Sequence, residues 1–211
     1  MAIVCPTVTS ETLDGFSSQL QEIASFAERI HLDLADGVFT PNKLISLEDI
    51  WWPAGLVADI HLMYQAIDPY IDQLIELNPN MVIVHAESSG EFNRVAEKLK
   101  KADIKIGVAL LADTPVEKIQ PAFDLIDHVL IFSGDLGHFG GTAKLDLLSK
   151  VRELRKLKPG VEIGWDGGIN TQNAGKLALG GIDVLNVGGG IHNSKNPRQA
   201  YDKLKAIAEK Y

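Results

Sequence analysis

Eight short apolar runs punctuate this chain of 211 residues, and most are followed by apolar residues recurring at helical spacing. The runs predict strands over 2–8, 29–34, 56–62, 81–85, 104–111, 127–132, 161–165 and 183–187. Between them, Phe16, Leu20 and Ile23 mark a helix, and Tyr70, Leu74 and Leu77 mark another that Asn78-Pro79 ends. Phe92, Val95, Ala96 and Leu99 form a third stripe. Thr114-Pro115 predicts a helix opening, with proline in a favourable first-turn position. Leu145, Leu148, Val151, Leu154 and Leu157 give the clearest amphipathic helix, and helices are expected over 171–179 and 197–211. About eight alternations in this length match an α/β fold of the (β/α)8 TIM-barrel type. No polar linker or composition shift divides the chain, so residues 1–211 read as a single barrel domain. A doubly wound open sheet would more often carry a glycine-rich turn after its first strand. Here Cys5-Pro-Thr-Val-Thr-Ser10 stands in that place.

Charge and cysteine usage narrow the partners. Twenty Lys and Arg against 28 Asp and Glu leave a formal charge of −8, which argues against a nucleic-acid or anionic-membrane partner. An anionic small substrate stays open, because a local site can hold phosphate whatever the global charge. The single Cys5 fits a reducing compartment. The first residues lack the basic and long apolar regions of a secretory signal, and no segment approaches a membrane span. A cytoplasmic protein is expected. Trp51, Trp52 and Tyr64 either fill the core or form an exposed aromatic patch suited to a subunit interface.

The polar residues fall at informative places. His31 and Asp33 alternate with Ile30, Leu32 and Leu34, so they share one face of a strand whose other face is apolar. An imidazole beside a carboxylate is costly to bury without a partner. From this stretch alone, a metal ion and a simple His–Asp hydrogen bond are equally good readings. His61, His85 and Asp166 also sit at strand ends, where barrels place functional groups. If the barrel closes, these groups converge on one mouth. Each alone is more readily structural than a ligand; together, two imidazoles and two carboxylates suit one divalent ion, Zn, Mn, Fe or Co rather than Mg or Ca. Gly167-Gly168 and Gly188-Gly189-Gly190 follow the seventh and eighth runs, where barrel loops commonly hold phosphate. Otherwise they are plain turns. With no Lys or Arg in them, binding there would rest on backbone N–H groups. The glycine-rich stretch 133–142 reads as a lid loop or an ordinary surface loop.

The motifs taken together resemble the ribulose-phosphate 3-epimerase family. They are His-x-Asp-x-x-Asp-Gly-x-Phe-x-Pro-Asn over 31–42, His-Leu-Met over 61–63, Ile-x-His-x-Glu over 83–87, Gly-x-Phe-Gly-Gly over 137–141 and Asp-Gly-Gly over 166–168. The order of these motifs carries the resemblance, which runs from Pro6 to Gly190. It implies a metal-dependent ketose-phosphate 3-epimerase that interconverts ribulose 5-phosphate and xylulose 5-phosphate by two-carboxylate proton transfer through an enediolate. It implies His31, Asp33, His61 and Asp166 as metal ligands, and Asp33 and Asp166 as the acid and base. Ser10, Met63, Phe139, Gly140, Gly141, Gly188 and Gly189 match positions lining the substrate or its phosphate, with His85 at the site's edge. Phosphate is expected against Gly188-Gly189, Gly167 and Gly140-Gly141. A homo-oligomer is also implied.

The chain departs from the family at Ala35, where methionine is usual, at Lys43-Leu-Ile-Ser46, across the longer loop 132–142, at Trp165 and at Gly189-Gly190. The acid/base and metal set is complete while the substrate lining is altered. A hexulose-6-phosphate 3-epimerase using the same site is therefore the first alternative, and a non-catalytic sugar-phosphate-binding relative the second. Hexulose-phosphate synthases and a keto-acid decarboxylase share the His-x-Asp strand but lack the full pair of histidines and the Asp-Gly-Gly placement.

Overall fold

The computed structural model describes residues 1–136 and 140–211. Its eight strands are β1 (Ile3–Thr9), β2 (Arg29–Ala35), β3 (Val57–Met63), β4 (Met81–His85), β5 (Lys105–Leu110), β6 (His128–Phe132), β7 (Glu162–Asp166) and β8 (Val184–Val187). All neighbours pair in parallel, and β8 pairs back onto β1, closing a barrel in sequence order. Closure leaves no sheet edge, which is why eight short strands suffice without a covering segment.

The helices are α1 (Leu13–Ala24), α2 (Ile71–Leu77), α3 (Phe92–Lys101), α4 (Leu148–Leu157), α5 (Ala174–Leu179), α6 (Gly189–His192) and α7 (Pro197–Ala208). Helix α1 starts where the Thr12 hydroxyl accepts from the Gly15 N–H, and it buries Phe16, Leu20 and Ile23. Helix α2 stops at Asn78, which turns left-handed at φ 50°. Outward residues of the strands pack beneath these helices: Ile30, Leu32 and Leu34 of β2 join Leu20, Ile23, Leu74 and Leu99 in one core.

Two local expectations need correction. The helix expected from Thr114-Pro115 is instead two short 3₁₀ turns, Val116–Lys118 and Gln120–Ala122. Pro121 explains this, since it has no N–H to continue the ladder and its ring would crowd the carbonyl of Glu117. The run Gly188-Gly189-Gly190 is more than a turn, because α6 begins at Gly189 with Gly188 before it. The aromatic trio divides: Tyr64 is buried, Trp52 is half-buried against the core, and Trp51 is 43% exposed with an edge-to-face contact on Phe16. Among the described residues, no helix is long and apolar enough to cross a membrane.

The interior has polar ends. Met81, Ile83, Ala109 and Leu130 form an apolar cluster inside the barrel. At the N-terminal strand ends, Arg29 holds Glu162 through two hydrogen bonds of 2.9 Å and Asp59 at 2.6 Å, while His128 Nδ1 lies 2.7 Å from Glu162. The His128 ring fits only because Gly164 has no side chain; a Cβ there would stand 2.6 Å from Nε2. The C-terminal strand ends carry the second polar cluster.

Candidate active site

Alternation along β2 turns His31 and Asp33 inward, and the parallel register sets Asp33 beside His61 of β3. Asp166 arrives from β7, whose partner across the next pair is Asn186 of β8. The result is compact. His61 Nδ1 lies 2.9 Å from Asp33 Oδ1, and His31 Nε2 lies 3.2 Å from the same oxygen. Asp166 Oδ2 is 3.8 Å from His31 Nε2 and 3.9 Å from His61 Nδ1. One donor atom from each of His31, Asp33, His61 and Asp166 lies within 4.8 Å of all the others, and all four residues are buried.

The partners of this cluster fix its geometry. Thr9 donates its hydroxyl to Asp33 Oδ2 at 2.7 Å, leaving Oδ1 to the imidazoles. Behind His61, its Nε2 meets His85 Nε2 at 3.0 Å, and His85 Nδ1 lies 3.4 Å from Glu87 Oε2. Glu87 in turn accepts from the Thr114 hydroxyl and from the Leu111 N–H. One proton lies between the two Nε2 atoms, so each ring orients the other, and His61 presents Nδ1 to Asp33 Oδ1. Phe39 covers the His85 ring at 4.7 Å, and Phe132 approaches it edge-on at 5.7 Å.

Electrostatics divide the two carboxylates. Burial pushes Asp33 up, but hydrogen bonds and charge from His31 and His61 outweigh it and hold the carboxyl well below the usual range. Asp166 has fewer donors; burial and the charge of Asp33 push it up to about 7, against the smaller pull of His31 and the Gly167 N–H. Burial lowers His61 to about 4 despite Asp33. For His31 the neighbouring carboxylates overcome burial and raise it. Burial also acts against the Glu87 charge, yet contacts with His85 and Thr114 bring it to about 2.

A cavity of about 310 Å³ opens above the cluster. Asp33, Met63, Gly140, Gly141, Asp166, Gly167, Gly188 and Gly189 line it, as sequence reasoning expects of them. His31 and His61 lie fully buried at the carboxylates. His85 stands behind His61 and borders a smaller hollow with Ser88 and Phe92. Ser10 does not line the main cavity: its hydroxyl bonds the carbonyl and N–H of Thr12. Phe139 lies outside the described residues. Ala35 packs with Leu44 and Met63, and Leu44 itself borders the cavity. Sequence reasoning passed over Thr7, Thr9 and Asn186, which line the cavity, and had Glu87 only within the motif over 83–87, whereas the structure sets it behind His85. Each has a readable signal, being a polar residue in an apolar strand or just past its end.

Gly167 and Gly168 have a steric role of their own. Their φ values are +106° and +70°, and a Cβ on them would strike Gly134 N at 2.2 Å and Ala143 N at 2.1 Å. These are the backbone flanks of the loop after β6, whose ends are tied by Ser133 N–H to Asp166 O and by Lys144 N–H to the Ser133 hydroxyl, both at 2.7 Å. Gly168→Ala is therefore expected to destabilise by roughly 1–3 kcal/mol. Gly160→Ala, with open space around it and an ordinary φ, is the control and stays within about 0.5 kcal/mol. Urea midpoints of the two variants check this; equal midpoints would show that the loop yields freely to a Cβ.

Known proteins resemble this chain over nearly its whole length. The model of the ribulose-phosphate 3-epimerase family matches residues 3–192. The chain is 31% identical over 195 residues to ribulose-phosphate 3-epimerase of Rhodobacter capsulatus, covering 89% of this chain and 85% of that protein. It is 30% identical over 217 residues to the Aquifex aeolicus ribulose-phosphate 3-epimerase, covering 98% and 97%. Among solved structures, 3-hexulose-6-phosphate synthase from Salmonella typhimurium superposes with a TM-score of 0.71 over 99% of both chains at 14% identity, a likeness of fold alone.

Proposed function

Since the chain belongs to the ribulose-phosphate 3-epimerase family, we propose that it interconverts ribulose 5-phosphate and xylulose 5-phosphate with one divalent metal ion at His31, Asp33, His61 and Asp166. The observation that carries this reading is the pair of buried carboxylates brought to one cavity from β2 and β7 beside His31 and His61. The donor set supports a metal. Four nitrogen and oxygen atoms lie close together on rigid strands, and neither ring nitrogen of the fully buried His31 has a well-aligned hydrogen bond. The mixed set suits Zn, Mn, Fe or Co. Such an ion, when bound, supplies the positive charge that stabilises an enediolate.

The protein's own groups do the proton work. Asp33 and Asp166 reach the cavity from β2 and β7, so one can take the C3 proton while the other returns one to the opposite face. Thr9 and the two imidazoles keep the Asp33 carboxylate from rotating. Backbone N–H groups near Gly167, Gly188 and Gly189 hold the phosphate at the glycine-lined side of the cavity, which Gly140 and Gly141 also line. Cavity walls of this kind fix the reacting carbon relative to the carboxylates.

Pentose is preferred to hexose because Leu44 packs on the small Ala35 and itself walls the cavity, so the missing methionine does not lengthen the site. The test is C3 epimerisation over pentulose and hexulose phosphates with metal-loaded protein. Ribulose 5-phosphate should be turned over fastest, and a chelator should abolish turnover. Metal-loaded protein inactive on every ketose phosphate would overturn the reading in favour of a binding protein.

A further inference from the structure

Asn186 is a polar side chain set between Leu185 and Val187, both of which pack outward in the main core. Alternation therefore turns Asn186 into the barrel, where it lines the large cavity. It is 2% exposed. Neither its Oδ1 nor its Nδ2 has a hydrogen-bond partner among the described residues. A buried carboxamide with both ends unsatisfied is costly in a folded protein, and a donor–acceptor pair aimed into a cavity marks a place for a polar ligand group.

Its position says which group. Asn186 is the register partner of Asp166 across the β7–β8 pair. Two residues further along β8 stands Gly188, which lines the same cavity at the side assigned to phosphate. Asn186 thus lies between a proton-carrying carboxylate and the phosphate end. In a ketose 5-phosphate the atom between C3 and the phosphate-bearing C5 is C4, with its hydroxyl. A hydroxyl both donates and accepts, as does a carboxamide.

We propose that Asn186 recognises the C4 hydroxyl of the ketose phosphate, through its unpaired carboxamide on β8 beside Asp166 and Gly188, and so sets specificity for a 4-hydroxylated substrate. The inference rests on the epimerase reading above. Asn186 moves no proton and holds no metal in this account. It positions the substrate and rejects analogues that would leave its amide unpaired.

The test compares ribulose 5-phosphate with its 4-deoxy analogue on metal-loaded wild type and Asn186→Leu, which keeps similar bulk without hydrogen-bonding atoms. Asn186→Ala serves in parallel in case leucine disturbs folding. Wild type should prefer the 4-hydroxy substrate in kcat/KM by on the order of 10²-fold, the loss expected when one buried amide is left unpaired. The variants should lose most of that preference through the 4-hydroxy substrate, with kcat/KM for the deoxy analogue unchanged or higher. Metal content should stay at the wild-type value, and the melting temperature of Asn186→Leu should not fall, because the amide it removes is unpaired. An equal loss on both substrates, or an unchanged preference in both variants, would overturn the inference while leaving the epimerase intact. Wild type inactive on ribulose 5-phosphate would overturn the epimerase reading, and this inference with it.

Discussion

Asp33→Asn and Asp166→Asn are each expected to yield folded protein that has lost about 10³-fold or more in epimerisation. Asparagine is nearly isosteric with aspartate and keeps an oxygen, but it carries no exchangeable acidic proton at neutral pH. General acid–base assistance contributes roughly 10²–10⁴-fold per group, so a two-sided inversion is crippled by losing either side. Asp33 accepts from Thr9 and faces both imidazoles, so its replacement also disturbs their orientation. Asp166 has no side-chain hydroxyl donor of this kind. Its replacement should be the milder structurally and equally severe in turnover. Metal content is measured alongside, so that loss of the ion is separated from loss of the proton carrier. In deuterated water, wild type should place deuterium at C3 of the product. A variant that retains the base for a given substrate should wash deuterium into unreacted substrate while forming no epimer. Near wild-type rates in both variants would remove both carboxylates from the proton path.

The fold was legible because each strand announces itself by a short apolar run, and a closed barrel needs nothing else from the strands. Strand β2 is the clearest case. Both faces are buried, yet only the inner one is polar, and that contrast already brings His31 and Asp33 together. The segment after β5 was less legible, since Thr114-Pro115 is a good helix start and only Pro121, six residues on, cancels it. For Gly188-Gly189-Gly190, composition suggests a turn, while the short helix depends on tertiary packing: a Cβ on Gly190 would stand 2.7 Å from the Ile169 carbonyl oxygen.

Strand parity also carries the part of the lining that sequence reasoning passed over. On β1, Cys5, Thr7 and Thr9 share a face, and Thr7 and Thr9 line the cavity. Ser10 falls just past the strand and bonds Thr12 instead. The run of contacts from His61 through His85 to Glu87 was beyond sequence reasoning, because it joins side chains of neighbouring strands whose register only the closed barrel sets. The close approach of Gly167 and Gly168 to the loop after β6 is likewise a contact between distant segments.

Removing the metal is expected to make stability depend on pH through Asp166. Without an ion, burial and the charge of Asp33 push its carboxyl up to about 7. A carboxyl with a raised folded-state value binds its proton more tightly folded than unfolded. Its stabilising contribution is complete below about pH 4, where the unfolded carboxyl is also protonated, and is lost as pH rises through about 7. Two imidazoles of the cluster act in or beside the same range with opposite signs: the contribution of His61, lowered to about 4, is gained as pH rises to the ordinary histidine value, and that of His31, raised, is lost above it, whereas Asp33 acts only below the ordinary aspartate value. The Asp166 part is therefore read as the difference between wild type and Asp166→Asn, both treated with chelator. At pH 8 the variant should be the more stable by roughly 2–4 kcal/mol, on the order of 5–10 °C in melting temperature. Its advantage should shrink towards zero as pH falls to about 4.5. Adding Zn, Mn, Co or anaerobic Fe(II) at pH 8 should reverse the order, because the charge that is a burden without an ion becomes a ligand with one. Wild type should then gain far more than the variant. A chelated wild type as stable as Asp166→Asn at pH 8, with no gain from any of these ions, would show that the four residues form a self-sufficient hydrogen-bonded cluster rather than a metal centre.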